Sequence, residues 1–445
     1  MGSLKWSYYN FLMTINESDK FLYNAYTNNL LKLTDELFDI LRAAEKTKSI
    51  ELLYKTLSTN EIEYFIKTQV LIEDEDELID KLHFNELTRR FSQKHLSITI
   101  APTQKCNFNC TYCFEQFRDS DYMSKETENS IIDYIKTQKE KNGLESLSIG
   151  WYGGEPLLAT GNIISLWNKI KTLNLKILDN FIVTNGYFFN TKNIEILKNV
   201  EIQEIQITLD GFKDIHDKRR PLFSGEGTFN KIIENLDNFF KNETNNSFRV
   251  NIRVNVDKTN SSDYIKIYKW IKDRYPQNNL IVYPGWIHID TGLQSSCSLN
   301  KKEKQDLHIK LCKKHGVVTN RFFPNHVNIG CAAGYPNSML IAPDGSIYKC
   351  WEELGNKNRI VGNINLPHKW TNQKMRVRYC VGIDHYQNPT CRRCRYLPIC
   401  DGGCPLRRYE NKYENKNNDC CTYFKGRLKD YLELHYKMKV SNLAE

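Results

Sequence analysis

Three cysteines near residue 110 are spaced closely enough to hold one metal centre together. Cys106, Cys110 and Cys113 follow the pattern C-x3-C-x2-C and come directly after a predicted strand. Three thiolates on one short loop can bind three irons of a four-iron four-sulfur cluster and leave the fourth iron without a protein ligand. An open position on a metal is where chemistry takes place, so we expect these cysteines to be catalytic. A zinc site completed from elsewhere in the chain is the alternative.

A second and larger set of cysteines lies in the last third of the chain. The chain has 14 cysteines, and clustered cysteines in an intracellular protein are typical of metal ligands rather than of disulfides. Ligation would also hold together a turn-rich region that cannot easily build its own apolar core. A hairpin turn is predicted at Pro343-Asp344-Gly345, and a zinc ribbon is the alternative to iron–sulfur clusters. The set comprises Cys331, Cys350, Cys391, Cys394, Cys400, Cys404, Cys420 and Cys421.

The composition excludes several classes of protein. Of the 445 residues, 40% are hydrophobic, which argues against a fully disordered chain. No apolar run reaches the roughly 18–20 residues that span a bilayer, and the N-terminus lacks the basic start and apolar core of a signal peptide. The net charge of +9 is not concentrated in a basic arm, so we expect neither a nucleic-acid nor a membrane partner. We therefore expect a soluble, cytoplasmic protein.

Alternating strands and helices from residue 95 onward must position the first cysteine group. The clearest helix covers Thr228–Phe240, where apolar residues recur at helical spacing. Six βα units in a row predict an α/β fold with a parallel sheet, either open and doubly wound or a partial barrel. In either case the site should lie at the C-terminal ends of the strands. The predicted strands are Leu96–Ala101, Leu147–Tyr152, Phe181–Thr184, Ile205–Asp210, Phe248–Val256 and Leu280–Ile289.

Residues 1 to about 90 follow a different pattern, which predicts a separate small domain. Strands are predicted at Tyr8–Thr14, Lys20–Asn24 and Leu30–Leu33. Thr34 is the predicted N-cap of the helix that follows, and two more short helices and a strand at Val70–Ile72 complete a winged-helix-like module. We expect four regions in the chain, at residues 1–90, 95–300, 301–330 and 331–445.

The first cysteine loop, with Tyr112 before its last cysteine, resembles that of the radical S-adenosylmethionine (radical SAM) superfamily. Tyr152-Gly153-Gly154-Glu155-Pro156, at the end of the second strand, resembles the family's GGEP motif. The resemblance implies a partial (β/α)6 TIM barrel whose strand ends bind S-adenosylmethionine. Gly153 and Gly154 would let backbone approach the amino group of this cofactor, and Glu155 would supply an acceptor. Further positions that the resemblance assigns to the cofactor are Thr184, Asn185, Thr208, Asp210, Arg253 and Asn255.

The resemblance also implies the chemistry. The open iron would chelate the amino and carboxylate groups of S-adenosylmethionine. One electron, supplied by a donor such as flavodoxin or ferredoxin, would then cleave the sulfonium. The resulting 5′-deoxyadenosyl radical removes hydrogen from an unactivated carbon, while the protein positions the target and excludes solvent.

The second cysteine set resembles the SPASM extension of radical SAM enzymes, which carries two auxiliary four-iron four-sulfur clusters, and this implies three clusters in all. Sulfatase-maturating relatives have a further cysteine shortly before the position of Cys331, and this chain has none there. The first auxiliary cluster is therefore expected to be open or to take Cys312 or Cys297, while Cys380 is expected to be a buried free thiol. The family pattern gives the first auxiliary cluster Cys331, Cys350 and Cys404, and the second Cys391, Cys394, Cys400 and a last cysteine, for which we prefer Cys421 to Cys420.

The N-terminal module resembles the PqqD-like recognition element of enzymes that modify ribosomally made peptides (RiPPs). This implies that a leader peptide binds as an added strand near Leu30–Leu33. The expected function is an intramolecular cross-link in a precursor peptide. A thioether is preferred, because an open auxiliary cluster would hold a substrate thiolate, and a carbon–carbon or ether bond is the alternative. The competing hypotheses are an anaerobic sulfatase-maturating enzyme that forms formylglycine, and a noncatalytic iron–sulfur or zinc protein that binds nucleic acid.

Overall fold

The computed structural model describes residues 4–16, 18–115, 121–242, 248–276, 279–287, 297–318, 322–325 and 330–442. Contacts divide the chain into two units. One unit comprises Met1–Phe91, His308–Cys331 and Cys380–Glu445, and the other comprises Ser92–Leu307 and Ala332–Tyr379. Within the described ranges, every helix is too short or too polar to span a bilayer. The division into four regions stays a prediction.

The first unit begins with two small sheets and four helices. Strands β1 (Lys5–Trp6) and β5 (Leu71–Ile72) pair with each other, and three more strands form an antiparallel sheet in the order β2-β3-β4. The Thr34 hydroxyl accepts a hydrogen bond from the Leu37 N–H, which confirms the predicted N-cap. The other elements are β2 (Asn10–Ile15), β3 (Asp19–Asn24), β4 (Asn29–Leu33), α1 (Asp35–Thr47), α2 (Glu51–Thr56), α3 (Thr59–Lys67) and α4 (Glu75–Arg90).

One apolar core joins these N-terminal strands to the cysteine-rich segment of the same unit. Phe11 and Tyr23 are buried in one cluster with Leu397 and Ile399, which lie in the sequence between Cys394 and Cys400. The Arg395 side chain donates to the carbonyl of Asn10, and its guanidinium lies 3.9 Å from the centre of the Phe11 ring. Burial of each large apolar side chain contributes about 1.5–3 kcal/mol, so the strands stabilise the segment that carries these cysteines.

The second unit is built on a nine-stranded sheet in the order β11-β10-β9-β8-β7-β6-β12-β13-β14. Strands β6 to β11 are parallel and lie in sequence order, which confirms the predicted α/β fold with a parallel sheet. The strands are β6 (His95–Ile100), β7 (Ser146–Trp151), β8 (Lys176–Thr184), β9 (Glu204–Leu209), β10 (Arg249–Val256), β11 (Leu280–Trp286), β12 (Ser338–Ile341), β13 (Ser346–Tyr348) and β14 (Gly362–Asn363).

Each of the six predicted strands of the barrel overlaps a parallel strand. The predicted end of the last one, at residues 288 and 289, lies outside the described residues. Strand β12 was not predicted, although it extends the sheet parallel to β6. The predicted hairpin turn joins β12 to β13, and Gly345 has a φ of 85° in it.

Helices alternate with the parallel strands and cover the sheet. Their apolar faces are buried; Phe229, Ile232, Leu236 and Phe240 of α9, for example, follow the predicted helical spacing. The remaining helices are α5 (Lys125–Asn142), α6 (Thr160–Lys171), α7 (Thr191–Asn199), α8 (Lys213–Arg219), α9 (Phe229–Asn242), α10 (Tyr264–Arg274), α11 (Lys301–His315), α12 (Gln373–Val377), α13 (Pro389–Arg392), α14 (Pro405–Tyr413) and α15 (Leu428–Asn442).

Candidate functional site

The first cysteine loop follows β6 and is held against the end of α8 and the segment after it. Asn109 donates its N–H to the Pro221 carbonyl at 2.8 Å, and Thr111 donates to the Arg219 carbonyl at 3.0 Å. Phe108, fully buried between these contacts, forms an antiparallel bridge with Leu222. The loop therefore has a defined backbone conformation at the C-terminal edge of the sheet, where the sequence predicts the site.

The three thiols of this loop are half-buried. The Phe108 N–H lies 3.4 Å from Cys106 Sγ, and the side-chain amide of Asn185 lies 3.9 Å from the same sulfur. Among the described residues, no three His, Cys, Asp or Glu side chains converge on a point that would hold a single metal ion. The thiolates that bind a four-iron cluster ligate separate irons and need no such common point.

Gly153 and Gly154 let two stretches of backbone pack directly against each other. Gly153 has a φ of 110°, and a Cβ at either glycine would lie closer than 3.0 Å to a carbonyl oxygen of residues 103–105. The Glu155 N–H also donates to the Lys105 carbonyl at 2.9 Å. Because residues 103–105 lead directly into Cys106, the glycines fix the start of the cysteine loop. Their predicted approach to the cofactor stays a prediction.

Glu155 is fully buried and connects the ends of β7 and β8. Its carboxylate accepts from the Thr184 hydroxyl at 2.8 Å, from the Asn185 N–H at 2.7 Å and from the Leu157 N–H at 3.0 Å. Burial raises the pKa of Glu155, and the hydrogen bonds from Asn185 and Thr184 oppose that shift. The Asn185 side chain continues the connection, since it donates to Asn107 Oδ1 at 2.8 Å. Glu155 thus positions Asn185 against the cysteine loop.

Tyr112 is the centre of a buried polar network. Its hydroxyl donates to Asp210 Oδ1 at 2.7 Å and accepts from Arg220 at 2.9 Å and from Asn255 at 2.8 Å. Burial raises the pKa of Tyr112, so the phenol stays protonated. Burial also raises the pKa of Asp210, while the charge of Arg220 lowers it. The network joins the cysteine loop to the ends of β9 and β10.

A chain of hydrogen bonds that the sequence did not predict holds Arg220 in place. The Asp210 N–H donates to His216 Nδ1 at 3.3 Å, His216 Nε2 lies 3.1 Å from the Thr228 hydroxyl, and that hydroxyl donates to the Arg220 carbonyl at 2.7 Å. Burial, reinforced by the charge of Arg220, lowers the pKa of His216 to about 3. The neutral ring therefore accepts at Nδ1 and donates at Nε2.

The remaining predicted cofactor residues lie on adjacent strands. Thr208 of β9 and Arg253 of β10 are register partners, and Arg253 Nε donates to Asn255 Oδ1 at 3.0 Å. Gly285 of β11 leaves room for the Arg253 side chain, because a Cβ there would lie closer than 3.0 Å to it. The structure thus places Thr208, Arg253 and Asn255 close together on the paired strands β9 and β10.

Several buried polar atoms around the cysteine loop have no hydrogen-bond partner among the described residues. They are Asn107 Nδ2, Arg219 Nη1, Arg220 Nε and Asp210 Oδ2. Arg219 Nη1 lies 3.5 Å from Asp210 Oδ2, which provides charge compensation without a good hydrogen bond. Buried polar groups normally have partners, so these atoms fit a site that takes a polar, charged ligand such as S-adenosylmethionine.

In the first unit, cationic and amide groups lie beside the thiols of the second cysteine set. Lys425 Nζ is 3.4 Å from Cys421 Sγ. Arg408 Nη1 is 3.8 Å from Cys391 Sγ, and the Asn411 side chain is 3.8 Å from Cys420 Sγ.

Burial raises the pKa values of two thiols in this set. The pKa of Cys400 rises to about 11, against opposing hydrogen bonds from the Gly402 and Thr422 N–H groups, and the pKa of Cys420 also rises to about 11. Thiols in such surroundings stay protonated until a metal or a cation favours the thiolate.

The other predicted cysteines have varied surroundings. Cys331 and Cys404 are exposed, while Cys350 and Cys297 are half-buried. Cys312 packs beside the apolar cluster of Phe322, Tyr431 and Leu434, and burial raises its pKa. Cys380 is buried, as predicted. The assignment of ligands to the auxiliary clusters stays a prediction.

Comparison with known proteins shows what this chain is similar to. Residues 100–275 match the model of the radical SAM superfamily. The chain is 27% identical over 368 residues to a cysteine-type anaerobic sulfatase-maturating enzyme of Clostridium novyi, with 75% of this chain and 94% of that protein covered.

Two solved structures have a similar fold. One is anSMEcpe with bound AdoMet and Cp18Cys peptide, with a TM-score of 0.57 and 22% identity over 79% of this chain and all of the other. The second is Streptococcus suis SuiB bound to the precursor peptide SuiA, with a TM-score of 0.50 and 17% identity over 90% of this chain and 95% of the other.

Proposed function

We propose that the radical SAM domain of this chain installs an intramolecular cross-link in a ribosomally synthesised precursor peptide. The observation that carries this proposal is strand β4, Asn29–Leu33, which forms an edge of the three-stranded sheet in the described structure. Leu30 and Leu31 are half-buried and Lys32 is exposed. A strand with a free edge can bind an extended peptide through main-chain hydrogen bonds, and the resemblance to PqqD-like elements implies that a leader peptide binds near this strand. The PqqD-like identity of the module belongs to the same proposal.

The thiols of the first cysteine loop and the unpartnered polar atoms beside it support the proposed cofactors. Cys106, Cys110 and Cys113 would hold a four-iron four-sulfur cluster, which with S-adenosylmethionine supplies a 5′-deoxyadenosyl radical. The hydrogen-bonded network of Tyr112, Asp210, Arg220 and Asn255 would orient the bound S-adenosylmethionine. The Asn185 side chain donates to Asn107 of the cysteine loop and so holds the end of β8 against that loop.

Two auxiliary clusters complete the proposed set, in a SPASM-like region. The first would be held by Cys331, Cys350 and Cys404, with a position that is open or filled by Cys312 or Cys297. The second would be held by Cys391, Cys394, Cys400 and Cys421. Auxiliary clusters of this kind supply an acceptor for one electron.

The proposed reaction removes two hydrogens from the peptide. The radical takes one hydrogen atom from carbon, formation of the new bond releases a proton, and one electron is left over. A thioether is preferred, because an open auxiliary cluster would keep a substrate cysteine as thiolate, and a carbon–carbon or ether bond is the alternative. The protein's own task is to hold the reacting carbon of the peptide close to the cofactor, in the correct orientation, and to exclude water.

High-resolution mass spectrometry of a precursor peptide from a neighbouring reading frame tests the reaction. A cross-link lowers the mass by two hydrogens, and a thioether also makes one cysteine resistant to alkylation.

A sulfatase-maturating activity is the alternative. It is supported by the sequence similarity of this chain to such an enzyme, which extends over 94% of that enzyme. That activity would instead produce an aldehyde that reacts with hydrazine, and a noncatalytic protein would form no 5′-deoxyadenosine.

Hydrogen exchange tests the role of β4 independently of catalysis. Addition of the precursor peptide should protect backbone amides within residues 29–33. The amides of helix α3 serve as the internal control, since they are already bonded within the helix. Protection that is confined to other parts of the chain would assign the peptide a different binding surface.

A further inference from the structure

Two positive charges lie beside the thiols assigned to the second auxiliary cluster. Arg408 Nη1 is 3.8 Å from Cys391 Sγ, and Lys425 Nζ is 3.4 Å from Cys421 Sγ. The two cations come from separate parts of the chain, α14 and the turn before α15. A positively charged side chain therefore lies beside two of the four thiols in this set.

Arg408 is held in this position by the backbone. Its Nε donates to the Ile383 carbonyl at 2.8 Å, and its Nη1 lies 3.3 Å from the Gly402 carbonyl. The side chain is half-buried, so its charge is screened less than that of a surface arginine. A fixed charge of this kind costs no reorganisation when the charge of its neighbour changes.

We propose that Arg408 and Lys425 raise the reduction potential of the iron–sulfur group held by Cys391, Cys394, Cys400 and Cys421, which favours transfer of the reaction's surplus electron to this group. The potential of such a group depends on net charge and on hydrogen bonds to its sulfurs, and both side chains supply these. Reduction adds one negative charge, which nearby cations stabilise. The proposal rests on the proposed function, because it requires that the second auxiliary cluster exists.

The experiment uses the full chain with Cys106, Cys110 and Cys113 replaced by alanine, so that only auxiliary clusters contribute to the spectrum. After anaerobic reconstitution, we expect about eight irons per chain. A redox titration followed by electron paramagnetic resonance then gives the potentials, and Cys391→Ala identifies the cluster that belongs to this thiol set.

Arg408→Gln should make reduction of that cluster about tenfold less favourable, a fall of about 59 mV for one electron. Lys425→Met should cause a smaller fall, because Lys425 is exposed and its charge is screened more by solvent. In Arg408→Lys the reduction potential of the cluster should stay close to that of the parent, because lysine keeps the positive charge. Lys412→Met is the matched control: Lys412 lies on the same helix, but its ammonium group donates to the Gly382 carbonyl. The potential should not change in this variant.

Unchanged potentials in both neutral variants, with about eight irons bound, would overturn this proposal and leave the proposed function standing. An equal fall in Arg408→Lys and Arg408→Gln would also overturn it, because packing and not charge would then be responsible. Absence of iron from the parent variant would overturn the auxiliary clusters themselves, and this proposal with them.

Discussion

Tyr112 is the residue at which the cysteine loop meets the ends of two strands. One phenol oxygen serves three partners, since it donates to Asp210 and accepts from Arg220 and Asn255. Asp210, Arg220 and Asn255 are buried, so these three groups cannot readily exchange a lost partner for water, whereas Tyr112 is half-buried. This hydroxyl therefore adds a side-chain connection between the loop and the strand ends to the backbone contacts that already hold the loop.

Replacement of Tyr112 by phenylalanine should weaken the binding of S-adenosylmethionine roughly tenfold or more. An unsatisfied buried polar group costs about 1–3 kcal/mol, and the variant leaves such groups at the proposed cofactor site. Equilibrium binding to anaerobically reconstituted protein measures the effect. Tyr122→Phe is the control, because the Tyr122 side chain is 46% exposed. Unchanged affinity in Tyr112→Phe would mean that the network does not orient the cofactor.

The three cysteines of the loop should all be required for turnover. Replacement of Cys106, Cys110 and Cys113 by alanine should abolish 5′-deoxyadenosine formation and lower the iron content from about 12 to about eight per chain. The loss is confined to one cluster because the other cysteines lie elsewhere in the sequence. Cys380→Ala, which removes a buried thiol, is the control. If the triple variant still cleaves S-adenosylmethionine, another cysteine set is catalytic.

At the scale of elements, alternating strands and helices made the parallel sheet predictable, because buried parallel strands are short apolar runs separated by helices. Several elements were missed, helices α4 and α11 among them, and for two strands the physical reason is clear. Strand β1 has only two residues, and β12 lies in a region whose apolar residues show no regular period. The site could be predicted in part: the cysteine spacing located the loop. The support that Glu155 gives to Asn185 depends on three-dimensional contacts, which spacing cannot show.

The glycine pair gives a prediction at this scale. Gly154→Ala should displace the cysteine loop and lower the bound iron by about four per chain, since its Cβ would clash with the backbone carbonyls of residues 104 and 105. Backbone atoms of this kind have little room to move. Gly161→Ala is the matched control: no atom lies within 4 Å of its Cβ position, and it lies in α6, where alanine is favoured over glycine. Normal iron content in Gly154→Ala would show that the loop tolerates the shift.

At the scale of the whole molecule, buried neutral histidines make stability depend on pH. Burial lowers the pKa of His216 to about 3, and the pKa values of His308 and His385 to about 4. In the unfolded chain these groups titrate near 6.5, so below that pH the unfolded state binds more protons than the folded state. Stability should therefore fall as the pH decreases from about 6.5 to about 4.

Urea unfolding at pH 7 and at pH 5 measures this dependence. The midpoint should be lower at pH 5, and His308→Gln should reduce the difference, because one titrating group is removed. The substitution is made at a residue outside the cofactor site, so that cluster loss does not obscure the result. Equal midpoints at the two pH values would mean that protons taken up elsewhere compensate.

The apolar core shared by β2, β3 and the cysteine-rich segment limits how this chain can be re-engineered. A recognition domain on a flexible tether could be exchanged between enzymes to redirect them to other peptides. Here Phe11 and Tyr23 are part of the same core as Leu397 and Ile399, so a graft of residues 1–90 alone would leave mismatched surfaces beside Cys394 and Cys400. A functional chimera would have to carry residues 380–442 of the donor together with its N-terminal module. Under the proposed function, peptide choice and electron transfer would then be inherited as one unit.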